Sequence, residues 1–204
     1  MMKTMRSSLF DVRFMQPDDA REVARLHATT IRPGFLVRLG CRFLRQLYLG
    51  IAEAEGCRVF VAEDSQGILG FCAYTRSVHG MYRKVLRRRG IRLGLSALPF
   101  ALNPCVVKEI LETLRYPARQ GNRDLPEAEI LSIGVDSRAR GLGVGRALLN
   151  EAIVQAERDE QGDVKVVAGA RLEDANRFYQ ACGFERVDAI TQHGETLYVY
   201  VKRL

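Results

Sequence analysis

VDSRARGLGVGRALL, Val135 to Leu149, sets three glycines at alternate positions between arginines and runs straight into an apolar helical pattern. Glycine costs backbone entropy, so Gly141, Gly143 and Gly145 within five residues need a reason beyond a slack connection. The preceding EAEILSIGV (Glu127 to Val135) reads as a strand with a continuous apolar end, and GRALL opens a helix reaching about Arg158. Between a buried strand and a helix start, successive main-chain N–H groups can close on an anion, and the helix N-terminus adds its positive dipole end. The dinucleotide fingerprint G-x-G-x-x-G fails, because Arg146 stands at the third required position. The Walker pattern G-x-x-x-x-G-K-S/T is absent. The loop therefore reads as another kind of phosphate cradle.

Outward from it, DVRFM (from Asp11) alternates as a first strand, and PDDAREVARLHATT follows with Pro17, Asp18 and Asp19 suited to a first helical turn. Ala20, Val23, Ala24 and Leu26–His27 supply the buried stripe of that helix, which ends by Pro33–Gly34. FLVRLGCRFLRQLYLGIAEAEG keeps helical spacing as far as Gly56, and RVFVAED with ILGFCAYT reads as a hairpin. Next come a short amphipathic stretch (GMYRKVLRRRG), an apolar irregular one (IRLGLSALPFALNP) and a helix (CVVKEILETLRYP). After the glycine loop and its helix follow the strand VKVVAGA, the helix EDANRFYQACG closing at Gly183, and a final hairpin around TQHGE. The order is β-α-α-β-β-insert-β-α-β-α-β-β. It predicts an α/β (α+β) fold with a mixed, mostly antiparallel sheet of six to seven strands flanked by helices. The chain reads as one domain, 1–204, with a basic, partly helical insertion over 76–126 before the fourth strand.

A chain of 204 residues, 47% hydrophobic and 27% charged, can bury a full core without staples. Five scattered cysteines without a Cys-x-x-Cys pair, and only three histidines, argue against a metal site. MMKTMRSSLFDVRF lacks a continuous apolar stretch, and no run is long enough to span a bilayer, so a cytoplasmic protein is expected. The net charge of +7 is uneven. Residues 76–126 hold eleven Lys or Arg against three Asp or Glu, while the rest of the chain carries twenty basic and twenty-one acidic residues. The excess therefore describes the insertion.

The pattern Arg140-Gly-Leu-Gly143-Val-Gly145 before RALL, overlapped by a second register starting at Arg138, is similar to the pyrophosphate signature of the GNAT superfamily of acyl-CoA N-acyltransferases. ANRFYQACGF (Ala175 to Phe184) resembles that superfamily's second signature, and the opening strand–helix and closing hairpin match as well. The resemblance implies transfer of an acetyl group from acetyl-CoA, with no metal, to a primary amine of a small molecule, amino sugar or peptide by direct attack. It implies that amides from Leu142 to Arg146, around Gly141, Gly143, Val144 and Gly145, hold the pyrophosphate, with the Arg140 and Arg146 side chains adding charge. Backbone groups of Ile133, Gly134 and Val135 would grip the pantetheine. Tyr179 is the implied general acid and Glu129 the implied general base. Many members carry Asn where this chain has Leu172, so a cofactor contact falls instead to Asn176, one helical turn later.

Strand alternation groups Glu129 with Leu131 and Ile133 on one face, where shielding would raise a carboxylate pKa. Gly134, inside a strand, marks a bulge or a close approach. His27, His79 and His193 read as structural or surface residues. Some fifty residues where a tight hairpin is expected are read as covering the acceptor site. Residues 81–94 are candidates for contact with an anionic membrane surface or a lipid-linked substrate, against a plain solvated face. Leu93–Leu102 is a candidate homodimer contact, and nucleic acid is disfavoured because no aromatic residues interleave with the basic run. The competing reading is a non-catalytic acyl-CoA-binding regulatory module that uses the basic insertion for a partner.

Overall fold

Seven strands form one sheet in the order β1-β2-β3-β4-β5-β7-β6. They are β1 (Asp11–Phe14), β2 (Cys57–Asp64), β3 (Gly67–Thr75), β4 (Glu129–Val135), β5 (Asp163–Gly169), β6 (Glu185–Gln192) and β7 (Glu195–Arg203). Every pairing is antiparallel except that of β4 with β5. The computed structural model describes residues 9–31, 34–100, 102–120 and 125–204, the side chains of 114–120 excepted. Residues 1–8 of the N-terminal stretch read for a leader, Arg32, Pro33, Ala101 and residues 121–124 of the insertion lie outside the described residues.

β2 and β3 are buried along nearly their whole length, as their apolar runs require when both faces are covered. One face receives α1 (Ala20–Thr30) and α3 (Gly40–Glu53), whose Val23, Leu26 and Tyr48 pack with Val59, Val61 and Phe71. The other receives α6 (Val144–Arg158) and α7 (Glu173–Ala181), where Leu148, Leu149 and Ala152 meet Phe60, Cys72 and Val166. Each fully buried Val, Leu or Phe contributes roughly 1.5–3 kcal/mol, so the two clusters, not helix propensity, hold the layers.

Residues 76–126 form α4 (Val78–Ala97) and α5 (Pro104–Gln120), and a short α2 (Phe35–Arg38) precedes α3. The expectation that IRLGLSALPFALNP is irregular is corrected, since α4 runs through it to Ala97. Ser77 caps the helix by accepting from the Gly80 amide, and Val78, Met81, Val85 and Leu93 give it a buried stripe against α3. That tertiary packing outweighs two interior glycines. The basic run also helps to dock the helix. Lys84 Nζ donates to Glu55 O at 2.9 Å, Arg89 reaches Gln46 and Glu53, and Arg88 donates to the Glu53 carbonyl. Among the described residues no helix is long and apolar enough to cross a membrane.

Candidate active site

β4 and β5 pair at only two positions, Glu129 with Lys165 and Ile130 with Val166. On its other edge β4 opposes Tyr74 with Ile130 and Ala73 with Ser132, so Leu131 is an extra residue, a β-bulge. A bulged strand bends and twists, and here the end of β4 leaves β5 just after the bulge. A cavity of 1840 Å3 passes through the gap, lined on one side by the start of α6 and on the other by α3 and α4.

The bulge also resets which way β4 side chains point. Glu129, Ser132 and Gly134 oppose Thr75, Ala73 and Phe71, and Ala73, Phe71 and Leu131 belong to the α1–α3 face. Ile130, Ile133 and Val135 pack on the α6 face. Ile133 is therefore not on the face of Glu129 as plain alternation requires; Ser132 is. Gly134 is a point of close approach and not the bulge. A Cβ there would lie 2.4 Å from Thr30 Oγ1 and 2.7 Å from Phe71 Cε1. Gly134→Val should therefore cost about 1–3 kcal/mol through overpacking, read by urea denaturation, with partial rescue by Thr30→Ala. An unchanged midpoint would show that α1 can retreat from β4 freely.

At the other end, Gly143 caps α6 at φ 83°, a left-handed conformation that favours glycine, and Gly141 has φ 78°. The Ala147 amide makes the first helical bond, to Gly143 O at 3.0 Å. The amides of Val144, Gly145 and Arg146 thus have no intrahelical acceptor, and all three residues line the cavity. Arg140, Gly141 and Gly143 line it too. The arrangement is an anion site at a 15-residue helix start.

Glu129 is 5% exposed and lines the cavity; Lys165 is 2% exposed with its Nζ 3.6 Å from Glu129 Oε2. Burial holds the Lys165 ammonium below its ordinary pKa, the neighbouring carboxylate opposing the shift. Burial and the Glu129 charge push the phenol of Tyr82, another cavity residue, upward.

Comparison with known proteins agrees with this architecture. Residues 105–186 match the acetyltransferase (GNAT) domain family. The fold superposes on Ard1 of Thermoplasma volcanium with a TM-score of 0.60 at 17% identity, covering 96% of this chain and 98% of that one. A ribosomal-protein-alanine N-acetyltransferase of Brucella melitensis gives 0.61 at 17% identity, covering 95% and 99%. The fold is that of the GNAT acetyltransferases. A stretch of 63 residues is 38% identical to an uncharacterized N-acetyltransferase of Methanocaldococcus jannaschii, covering 31% of this chain and only 28% of that relative.

Within the GNAT frame, Ile133, Gly134, Val135 and Tyr179 also line the cavity. Tyr179 is 5% exposed, its ring 5.9 Å from Phe184 and 6.1 Å from Tyr200, and burial pushes its phenol above the usual range, keeping it protonated. Leu142 and Asn176 are not among the lining residues. The Leu142 amide is turned to Ala139 O. The Asn176 amide nitrogen donates to Gly169 O and Ala170 O, and its oxygen accepts from Tyr200 at 3.1 Å, so the side chain ties α7 to the end of β5.

A hydrogen-bonded chain went unread in the sequence. His27 Nδ1 lies 2.6 Å from Tyr48 Oη, which lies 2.9 Å from Ser132 Oγ beside the bulge, and all three line the cavity. Burial lowers the His27 pKa to about 4, so the imidazole is neutral near pH 7. The available signal was the lone hydroxyl inside the apolar run ILSIGV. His193, at the β6–β7 turn, reaches the insertion instead: its Nδ1 stands 3.0 Å from Glu112 Oε2 and its Nε2 is 3.2 Å from Thr113 Oγ1. Among the described residues no group of three or more His, Cys, Asp or Glu side chains could hold a metal ion.

Proposed function

We propose that this chain transfers an acetyl group from acetyl-CoA to a primary amine of a small molecule, amino sugar or peptide. The observation that carries the reading is one cavity that joins the amides of α6 to the Glu129 carboxylate through the β4–β5 gap. The chain is taken as a single domain over 1–204, with 76–126 forming a wall of the acceptor side.

Acetyl-CoA, when bound, supplies an acyl carbon already activated as a thioester, so the protein needs no nucleophilic side chain. The Val144, Gly145 and Arg146 amides suit a diphosphate, with Arg140 and Arg146 adding positive charge. β4 has no β5 partner beyond Ile130, which leaves the main chain of Ile133, Gly134 and Val135 to hold an extended pantetheine arm. Glu129 takes a proton from the amine as the C–N bond forms and the C–S bond breaks, and Tyr179 gives its proton to the departing sulfur. Holding amine and thioester together contributes on the order of 7–11 kcal/mol in favourable cases. On the outer side of α4, Ile91 and Leu95 are exposed beside the arginine run, which supports contact of residues 81–94 with an anionic lipid surface carrying the acceptor.

Release of CoA thiol in the presence of a panel of amines tests the reading, and turnover with any of them is the expected result. Acetyl-CoA binding without thiol release from any amine would favour the regulatory module instead. Gly145→Asp sharpens the test. An added Cβ meets only ordinary contacts there, 3.5 Å from Val135 Cγ2, and an acid in the first turn suits the helix dipole. Stability should hold or rise slightly, while acetyl-CoA affinity by calorimetry falls about tenfold or more through repulsion of the diphosphate. Unchanged affinity would place the diphosphate elsewhere.

A further inference from the structure

We infer that the acceptor-side half of the cavity binds a long alkyl chain carried by one of the two substrates. This deepens the acyltransferase reading and rests on it for the position of the reacting end. The 1840 Å3 cavity spans both the α6 side and the α3–α4 side of the sheet. Its acceptor half is walled by apolar side chains. Phe43, Leu47 and Ile51 come from one face of α3, and Met81, Val85 and Leu93 from α4. Glu129, Ser132 and Tyr82 stand by the β4–β5 gap, and Thr113 and His193 line the part formed by α5 and the β6–β7 turn. A polar amine or a sugar would leave most of that apolar wall uncovered; an alkyl chain would cover it.

The long dimension lies along α4. Tyr82 and Ala97 both line the cavity, and fifteen residues of helix separate them, about 22 Å. Gly90 and Gly94, one turn apart, line its distal part, and a Cβ added at either meets nothing within 4 Å. Each interior glycine costs a helix about 1 kcal/mol relative to alanine. Open space in front of both means that their lack of a side chain is not needed for packing, so a larger side chain at either can be placed along the cavity wall. Leu86 and Ala97 continue the same cavity-facing line.

The test measures binding and activity separately. Acetyl-, octanoyl- and palmitoyl-CoA form one calorimetric series; propylamine, octylamine and hexadecylamine form a second, with acetyl-CoA present. Each buried methylene should tighten binding roughly fourfold until the chain meets the distal end. A length effect in the first series assigns the chain to the acyl donor, and one in the second assigns it to the amine. Gly90→Leu and Gly94→Phe should abolish the effect of length while leaving acetyl-CoA affinity unchanged. Both residues favour helix more than glycine does, so the thermal midpoint should not fall. A fluorescent fatty acid without CoA reads the cavity alone and should bind the natural chain but not Gly94→Phe. No length effect in either series, together with no probe binding, overturns the inference even where acetyl-CoA binds and turns over. Probe binding that Gly94→Phe abolishes, with no affinity for any CoA ester, would keep the alkyl site and reject the CoA reading.

Discussion

Glu129→Gln should lower kcat/KM for amine acetylation about 10²- to 10⁴-fold, the loss expected when a general base is removed. The same substitution leaves the Lys165 ammonium, 2% exposed, without the carboxylate that now stands 3.6 Å away. Breaking a buried pair from one side costs about 3–5 kcal/mol, so lost activity alone would not separate chemistry from folding. The double variant Glu129→Gln/Lys165→Met does separate them. Removing both charges should restore most of the stability, because an apolar replacement of a buried pair is often near neutral. Activity should stay low in the double variant. Recovery of kcat/KM together with stability would make the pair structural and remove Glu129 from the mechanism. Lys165→Met alone gives a further readout. Without the ammonium the ionised form of Glu129 loses an opposite charge 3.6 Å away, so the acid limb of the kcat/KM profile should move to higher pH.

Acidification should destabilise the fold through His27. Its side chain is 4% exposed, and burial lowers its pKa from 6.5 to about 4. Between those values the unfolded chain holds a proton that the folded chain does not. Stability is therefore full above pH 6.5 and falls as the pH drops toward 4, by about 3 kcal/mol in total. Urea unfolding at a series of pH values measures the slope directly. His27→Gln, whatever its stability at pH 7, should flatten the curve over that interval. Equal slopes in both proteins would mean that the imidazole reaches water in the folded state.

The order of elements and the glycine loop are legible in the sequence because each has a local signature. Alternation marks β1, apolar runs mark β2 and β3, helical spacing marks α1, and the left-handed residues at Gly141 and Gly143 favour the residue type found there. What is not legible depends on pairing between distant segments. The extra residue at Leu131 exists only relative to the ladder with β3, and it alone moves Ile133 off the face of Glu129. Lys165 within VKVVAGA reads as a strand residue of no special kind until the parallel register sets it opposite Glu129. The helix through Gly90 and Gly94 opposes local propensity and is held by contacts of α4 with α3. Asn176 has a suitable residue type near the expected position, but its amide is engaged by two carbonyls and a tyrosine at the end of β5.

The two-position pairing of β4 with β5 makes the sheet a pair of panels joined along a short seam. Four strands lie on one side and three on the other, and α6 bridges the panels through contacts with β3, β4 and β5. Whatever lies in the gap touches both panels where the hydrogen-bond ladder has stopped. Its occupant is therefore also a strut that completes the span, and filling the site should stiffen the molecule along that line.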